Sequence, residues 1–370
     1  DWDYFEAVDL EKLTSKCDTE AILYLYRREE EHAFMRKVTG AYTMAIADWR
    51  KRDIIVMRDR TGIKPGVLGW KDGKYGVASE DIAFRKNGGE FIENLQPGSV
   101  YYLTPEGDYS RENIVPAQPA HCFFEWNYIT DVDSRVNNVS VRRIRETLGE
   151  ALAEEFAPAD ADLVTFLPRC PEVAARSYAE KTGLPFKPLF YKMRGERSFQ
   201  GSTASERRNS IAENLHLLPG LKPQFQGKTV IIMDDSIVRG NASVRAQELL
   251  YEDLGVRKAY LLSYTPPIGI VPKDGVPRGC MFGVDLPPDP PDGEEFVARG
   301  RTMAEIEEKM GMPIIYLSTE SMLRGFEKSG IDRDRLCTYC IGGSHPYSHC
   351  GNVELTAQPQ SNQLELVMAK

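Results

Sequence analysis

Residues 228–248 read K-T-V-I-I-M-D-D-S-I-V-R-G-N-A-S-V-R-A-Q-E, and this stretch decides the fold of the second half of the chain. The apolar run 230–233 is short, rich in β-branched residues and bounded by polar ones, the pattern of a strand buried on both faces of a parallel sheet. Asp234 and Asp235 follow at the carboxyl end of that strand, where open α/β sheets bind ligands. Ser236, Ile237, Val238, Arg239, Gly240, Asn241, Ala242 and Ser243 then lead into a helix that continues through Gln247, Leu249 and Leu250. Main-chain N–H groups at such a helix start hold phosphate, Gly240 permits close approach, and Arg239 adds charge. Two carboxylates beside a phosphate cradle suit a hydroxylated, phosphorylated, magnesium-bound ligand such as a sugar phosphate. Taken alone, Asp-Asp-Ser after a strand is in most cases the start of an ordinary N-capped helix.

Working outward, the 370 residues are enough for two domains. With 42% apolar and 27% charged residues the composition is that of a soluble globular protein, and a net charge of −9 argues against a nucleic-acid partner. No apolar run approaches the roughly 18 residues of a membrane-spanning helix, which argues against a membrane partner. The opening D-W-D-Y-F-E lacks an initiator methionine and a secretory pattern, so a fragment or processed product is expected. Seven cysteines are too few for a disulfide framework, and a reducing cytoplasm is the expected setting.

Before residue 120 the chain is strand-rich. Asp18 or Thr19 caps an expected helix, and G-A-Y-T-M-A-I-A-D-W, D-I-I-V-M-R-D and Y-G-V-A-S-E read as strands of an antiparallel meander. Pro116 and Pro119 mark an irregular crossing. From about residue 140 helices and strands alternate: 141–156 helix, 163–167 strand, 171–182 helix, 230–233 strand, 259–264 strand and 303–310 helix. The expected class is therefore α/β, with a parallel sheet in the second half and an α+β first part. Expected domains are 1–120 and 121–350, followed by a polar tail, 351–370.

An apolar strand followed by D-D-S-I-V-R-G and a helix resembles the phosphoribosylpyrophosphate signature of the type I phosphoribosyltransferases. Among these the chain is most similar to the glutamine phosphoribosylpyrophosphate amidotransferases. D-T-E, G-A-Y-T, R-D-R-T-G-I-K-P, V-A-S-E and L-Q-P-G resemble, in order, the later half of that family's N-terminal-nucleophile glutaminase domain. The resemblance implies an enzyme of purine biosynthesis that transfers ammonia, drawn from glutamine, to C1 of phosphoribosylpyrophosphate, releasing pyrophosphate. Asp234 and Asp235 would hold ribose hydroxyls and magnesium, residues 236–243 the 5′-phosphate, and Asp18 the glutamine amino group. The basic loop 191–210 would close over the pyrophosphate, with Lys192 and Arg197 the foremost of its cations and Arg194, Arg207 and Arg208 in reserve. Purine nucleotides are the implied feedback ligands, and a homo-oligomer the implied assembly.

Cys122, Cys280, Cys337 and Cys340 stand in A-H-C-F-F-E, R-G-C-M-F-G-V-D-L and L-C-T-Y-C-I-G-G, contexts that resemble the ligand sites of the family's iron–sulfur subgroup, the Bacillus type. They imply a [4Fe–4S] cluster or, failing that, tetrahedral zinc.

Three features depart from the family pattern. The counterpart of the first half of the glutaminase domain, with its N-terminal cysteine, is missing. Cys17, in mid-chain and without a free α-amino group, does not replace it, so no glutaminase activity is expected of this chain alone. Pro168-Arg169-Cys170-Pro171 stands where the family has a Pro-Asp-Ser-Gly-like turn, putting Cys170 at the magnesium-linked serine, and Asn241 and Ala242 replace two threonines. These changes also fit a weakened paralogue that binds phosphoribosylpyrophosphate or nucleotide as a regulatory or scaffold module.

Overall fold

A computed structural model describes residues 14–15, 18–192, 215–282, 286–289 and 295–347. The chain divides into two compact units, one running to His121 and resuming at His345, the other Cys122–Ser344. Among the described residues no helix is long and apolar enough to cross a membrane.

In the first unit α1 (Asp18–Lys37) precedes β1 (Thr43–Asp48), β2 (Asp53–Arg58), β3 (Val67–Lys71), β4 (Lys74–Ala78), the short α2 (Ile82–Lys86), β5 (Glu90–Asn94), β6 (Ser99–Leu103) and β7 (Tyr109–Asn113). The expected single meander is instead two antiparallel sheets, β1-β2-β6-β7 and β4-β3-β5. The reason lies in alternation along β2. Ile55 and Met57 face α1, where they join Leu25, Phe34 and Met35. Val56 faces the other way and joins Tyr101 and Leu103 against Leu68 and Leu95 of the second sheet. Between the sheets the chain turns through R-D-R-T-G. There the buried Arg58 guanidinium donates to the carbonyls of Lys64, Leu95 and Gly62, and Asp59 accepts from the amides of Thr61 and Gly62.

The second unit is built on a four-stranded parallel sheet. Its strands are β8 (Leu163–Phe166), β11 (Thr229–Asp234), β12 (Lys258–Ser263) and β13 (Ile314–Tyr316), in the order β8-β11-β12-β13. A short antiparallel pair, β9 (Phe190–Lys192) and β10 (Leu215–Leu217), stands apart. All six residues of β11 are buried, as expected for a strand covered on both faces. On one face α3 (Val141–Glu155), α4 (Glu172–Thr182) and α7 (Thr319–Lys328) pack Ile144, Leu148, Tyr178 and Phe326 against Ile231 and Met233. On the other, α5 (Asn241–Glu248) and α6 (Met303–Met310) bring Ala246, Ile306 and Met310 against Val230 and Ile232.

Local chemistry sets the helix ends. Ser140 caps α3 by accepting from Arg143 N, Thr302 and Glu305 form a capping box on α6, and Gly183 stops α4 with φ 73°. The parallel sheet and its helices agree with the α/β expectation. Gly149 lets α3 lie directly on α4, since a Cβ there would stand 2.2 Å from Ala174 O. Gly149→Ala should therefore destabilise the protein in urea unfolding by about 2 kcal/mol, the overpacking cost exceeding the ~1 kcal/mol that alanine returns in helix propensity. A variant as stable as the native chain would mean that α3 and α4 move apart freely.

Candidate phosphate and ribose site

The carboxyl end of β11 delivers Asp234 and Asp235 into the structure, each 8% exposed. Asp234 Oδ1 accepts from Asp235 N at 2.8 Å, and Ser236 Oγ donates to Asp235 Oδ2 at 2.8 Å. Burial pushes the Asp234 carboxyl far above its ordinary value, and the neighbouring Asp235 charge adds to the rise. Burial also lifts Asp235, from 3.8 to about 6, against the Ser236 hydrogen bond and the positive charge of Arg145, which act downward. Without a cation, the pair resists carrying two charges.

Beyond Ser236 the chain turns at Gly240, whose φ of 80° makes it the N-cap of α5. Gly240 brings no side-chain cap to this helix, whose start lies at the cavity described below. A Cβ on Gly240 would sit 2.7 Å from Met310 Sδ and 3.0 Å from Val297 Cγ2, so packing as well as conformation demands glycine. Val297 N donates to Val238 O and pins the loop from behind.

These residues surround one cavity of about 140 Å³. Its lining includes all ten residues from Asp234 to Ser243, together with Tyr128, Leu167, Pro168, Lys192 and Leu215. Lys192 and Leu215 arrive as register partners of β9 and β10. Thus the expected acids, the expected cradle and Lys192 come together. Arg197, Arg194, Arg207, Arg208, Cys17 and the side chain of Asp18 lie outside the described residues. Cys170, which the sequence puts at the position of a magnesium-linked serine, is not among the lining residues. Its thiol donates to Tyr128 O at 3.4 Å, while Arg169 is exposed. Sequence reasoning missed Tyr128, Leu167 and Leu215, apolar or aromatic positions whose local pattern carries no ligand signal.

Elsewhere in the second unit Cys122, Cys280, Cys337 and Cys340 lie close enough to influence one another. Burial pushes the Cys337 thiol up to about 12 and those of Cys122 and Cys340 well above their ordinary value, with the Glu125 charge adding at Cys122 and neighbouring thiols adding at all three. All four are free of disulfides. Among the described residues no group of three or more His, Cys, Asp or Glu side chains is disposed to hold a metal ion.

A parallel sheet whose inner strand ends in paired acids above a glycine-opened helix defines a phosphoribosyltransferase-type domain. A glutamine amidotransferase domain family matches residues 6–86. The amidophosphoribosyltransferase of Methanothermobacter thermautotrophicus is 32% identical over 343 residues, covering 90% of this chain and 68% of the relative. That of Bacillus subtilis is 28% identical over 337 residues, with 89% and 67% covered. That of Archaeoglobus fulgidus is 32% identical over 314 residues, with 84% and 64% covered, so the chain spans about two thirds of each relative. Among solved structures, the B. subtilis glutamine phosphoribosylpyrophosphate amidotransferase complexed with ADP and GMP superposes with a TM-score of 0.76 at 27% identity, covering 92% of this chain and 75% of that one. A structure described as the allosteric regulatory enzyme of purine biosynthesis gives 0.77 at 27%, covering 93% and 72%. The chain belongs to the amidophosphoribosyltransferase family.

The acid pair makes stability depend on pH. Because the fold prefers neutral Asp235, that contribution is fully present below about pH 4 and is lost as the pH rises through about 6. A shift of this size is worth about 3 kcal/mol. Asp235→Asn should therefore gain stability over the native chain in urea unfolding as the buffer moves from about pH 4 to about pH 8. A margin that shrinks with rising pH would contradict a buried, disfavoured charge.

Proposed function

We propose that this chain carries the phosphoribosyl-transfer site of an amidophosphoribosyltransferase. Ammonia attacks C1 of phosphoribosylpyrophosphate, the new C–N bond replaces the C–O bond to pyrophosphate, and that bond's electron pair leaves with the pyrophosphate. One proton is lost from the nitrogen, and phosphoribosylamine results. The observation that carries this reading is the single cavity lined by two buried carboxylates, a helix start without a side-chain cap, and Lys192.

The amides of residues 236–243 receive the 5′-phosphate, using the partial positive charge of the α5 start. Asp234 and Asp235 accept from the ribose hydroxyls. Both carboxylates ionise only when a cation shares the site, which makes them suitable holders of magnesium. Bound there, magnesium supplies neutralising charge for the pyrophosphate. Lys192 meets the leaving group from the β9 side. Catalysis by this chain is then positioning and electrostatic stabilisation, with no covalent enzyme intermediate. Glutamine as ammonia source, purine nucleotides as feedback ligands and a homo-oligomer belong to the same proposal, with a cytoplasmic setting.

Cys122, Cys280, Cys337 and Cys340 are not disposed as a metal-holding group among the described residues, and the [4Fe–4S] reading rests on their sequence contexts and their mutual electrostatic influence. The thiols of Cys122, Cys337 and Cys340, pushed up by burial and by neighbouring thiols, become thiolates together only against compensating positive charge, which bound metal would provide.

Asp234→Asn combined with Asp235→Asn should lower phosphoribosylpyrophosphate affinity at least about 100-fold in calorimetric titration, since two charge-assisted acceptors are lost together. Unchanged affinity would remove the site assignment. Anaerobically purified protein should be brown and hold about four iron atoms per chain. Cys337→Ser should bleach it, and Cys170→Ser should not. One zinc per chain would replace the cluster by an ion, and no metal would end the proposal.

A further inference from the structure

Arg145 projects from α3 and is 2% exposed. A buried cation is costly unless compensated, yet no carboxylate among the described residues lies within ion-pair distance of it. Its hydrogen bonds go to two main-chain carbonyls instead. Nε donates to Trp126 O and Nη2 to Thr130 O, both at 2.9 Å. These carbonyls bracket Tyr128, a wall residue of the ligand cavity.

The segment so gripped is a wide helical turn, Glu125–Ile129, and other side chains hold it as well. Tyr264 Oη donates to Asn127 O at 2.6 Å, and Cys170 Sγ donates to Tyr128 O at 3.4 Å. Asn127 Nδ2 donates to Thr265 Oγ1 at 2.9 Å. Four carbonyls in five residues, those of 126, 127, 128 and 130, are thus bound by side chains from α3, from the segment after β12 and from the turn before α4. Arg145 supplies two of these four ties, one on each side of Tyr128.

The Arg145 charge has a direction as well. Glu125 is the other buried acid of this turn, but it accepts from Thr130 Oγ1 at 3.1 Å and acts on Cys122. The acid of the ligand site that feels the guanidinium is Asp235. In a buried setting such a charge acts over longer distances than it would in water.

We propose that Arg145 is a positioning residue of the transfer site, fixing the Tyr128 wall through the carbonyls of Trp126 and Thr130. It touches no ligand. The proposal rests on the phosphoribosyl-transfer reading and deepens it by dividing the site in two. The ribose end of the ligand depends on Arg145, whereas the phosphate end, held by the main chain of residues 236–243, does not.

The test uses the intact chain with Arg145→Gln and Arg145→Lys. Phosphoribosylpyrophosphate with magnesium is titrated calorimetrically, inorganic phosphate is titrated by phosphorus NMR, and urea unfolding is followed in parallel. Arg145→Gln, which loses the charge and one tie, should weaken phosphoribosylpyrophosphate at least about tenfold. Phosphate binding should stay within about twofold. Arg145→Lys, which keeps the charge but loses the fork, should recover most of the affinity and remain about threefold below the native chain. Loss of both ligands in proportion to lost stability would reduce Arg145 to a packing role and overturn the proposal. Native affinity in Arg145→Lys would overturn its hold on the wall, and this arm remains decisive if Arg145→Gln does not fold. Failure of the native chain itself to bind phosphoribosylpyrophosphate would be a different result, removing the transfer-site reading first and this proposal with it.

Discussion

Two carboxylates on adjacent residues, both removed from water at the end of a central strand, are the constraint to which the second unit answers. Charge on Asp235 disfavours charge on Asp234, the hydrogen bond from Asp234 favours charge on Asp235, and burial disfavours both. A structure that only had to be stable would not keep them there. Their surroundings are arranged to tolerate them: an amide for Asp234, a hydroxyl for Asp235, and the distant guanidinium of Arg145. Even so the compensation is incomplete in the free protein. That incompleteness is how such a site comes to favour cations and polar hydroxyls over water.

The strand that carries the acids divides its neighbours by face. Residues of β11 alternate between the α3–α4–α7 side and the α5–α6 side. Asp235 feels Arg145 of α3. Asp234 acts on Tyr316 of β13, whose register partner Ser263 is itself the partner of Asp234. One dipeptide thereby connects the two halves of the core.

What could be read in the sequence follows from how local the information is. The strand, acids, glycine and helix of residues 228–248 encode their arrangement within 21 consecutive letters, and β11 and α5 have the predicted character. The helix at 303–310 has the predicted limits because its capping box lies inside its own first turn. Strand pairing in the first unit was not legible to the same degree. Whether β3 and β4 join β2 or form a separate sheet with β5 depends on partners far along the chain, and alternation in β2 serves either choice. Tyr128 and Arg145 were hidden for a similar reason, since nothing in F-F-E-W-N-Y or R-R-I-R announces a residue that tertiary packing brings to a pocket. At Cys170 the position in the turn was readable, but the direction of the thiol, toward Tyr128 O, was not.

Gly240 opens α5 without a side-chain cap, and this has a bearing on heredity. A cradle made from peptide amides is present in every amino acid except proline, so most codon changes at Asn241 or Ala242 leave its donors in place. Only Gly240, confined by its backbone angle and by Met310 and Val297, lacks that freedom. The phosphate-holding capacity proposed for this loop would therefore be stored in a fold and one glycine rather than in a set of hydroxyls. Lineages can drift through many spellings of it without passing through a form that has lost the anion site.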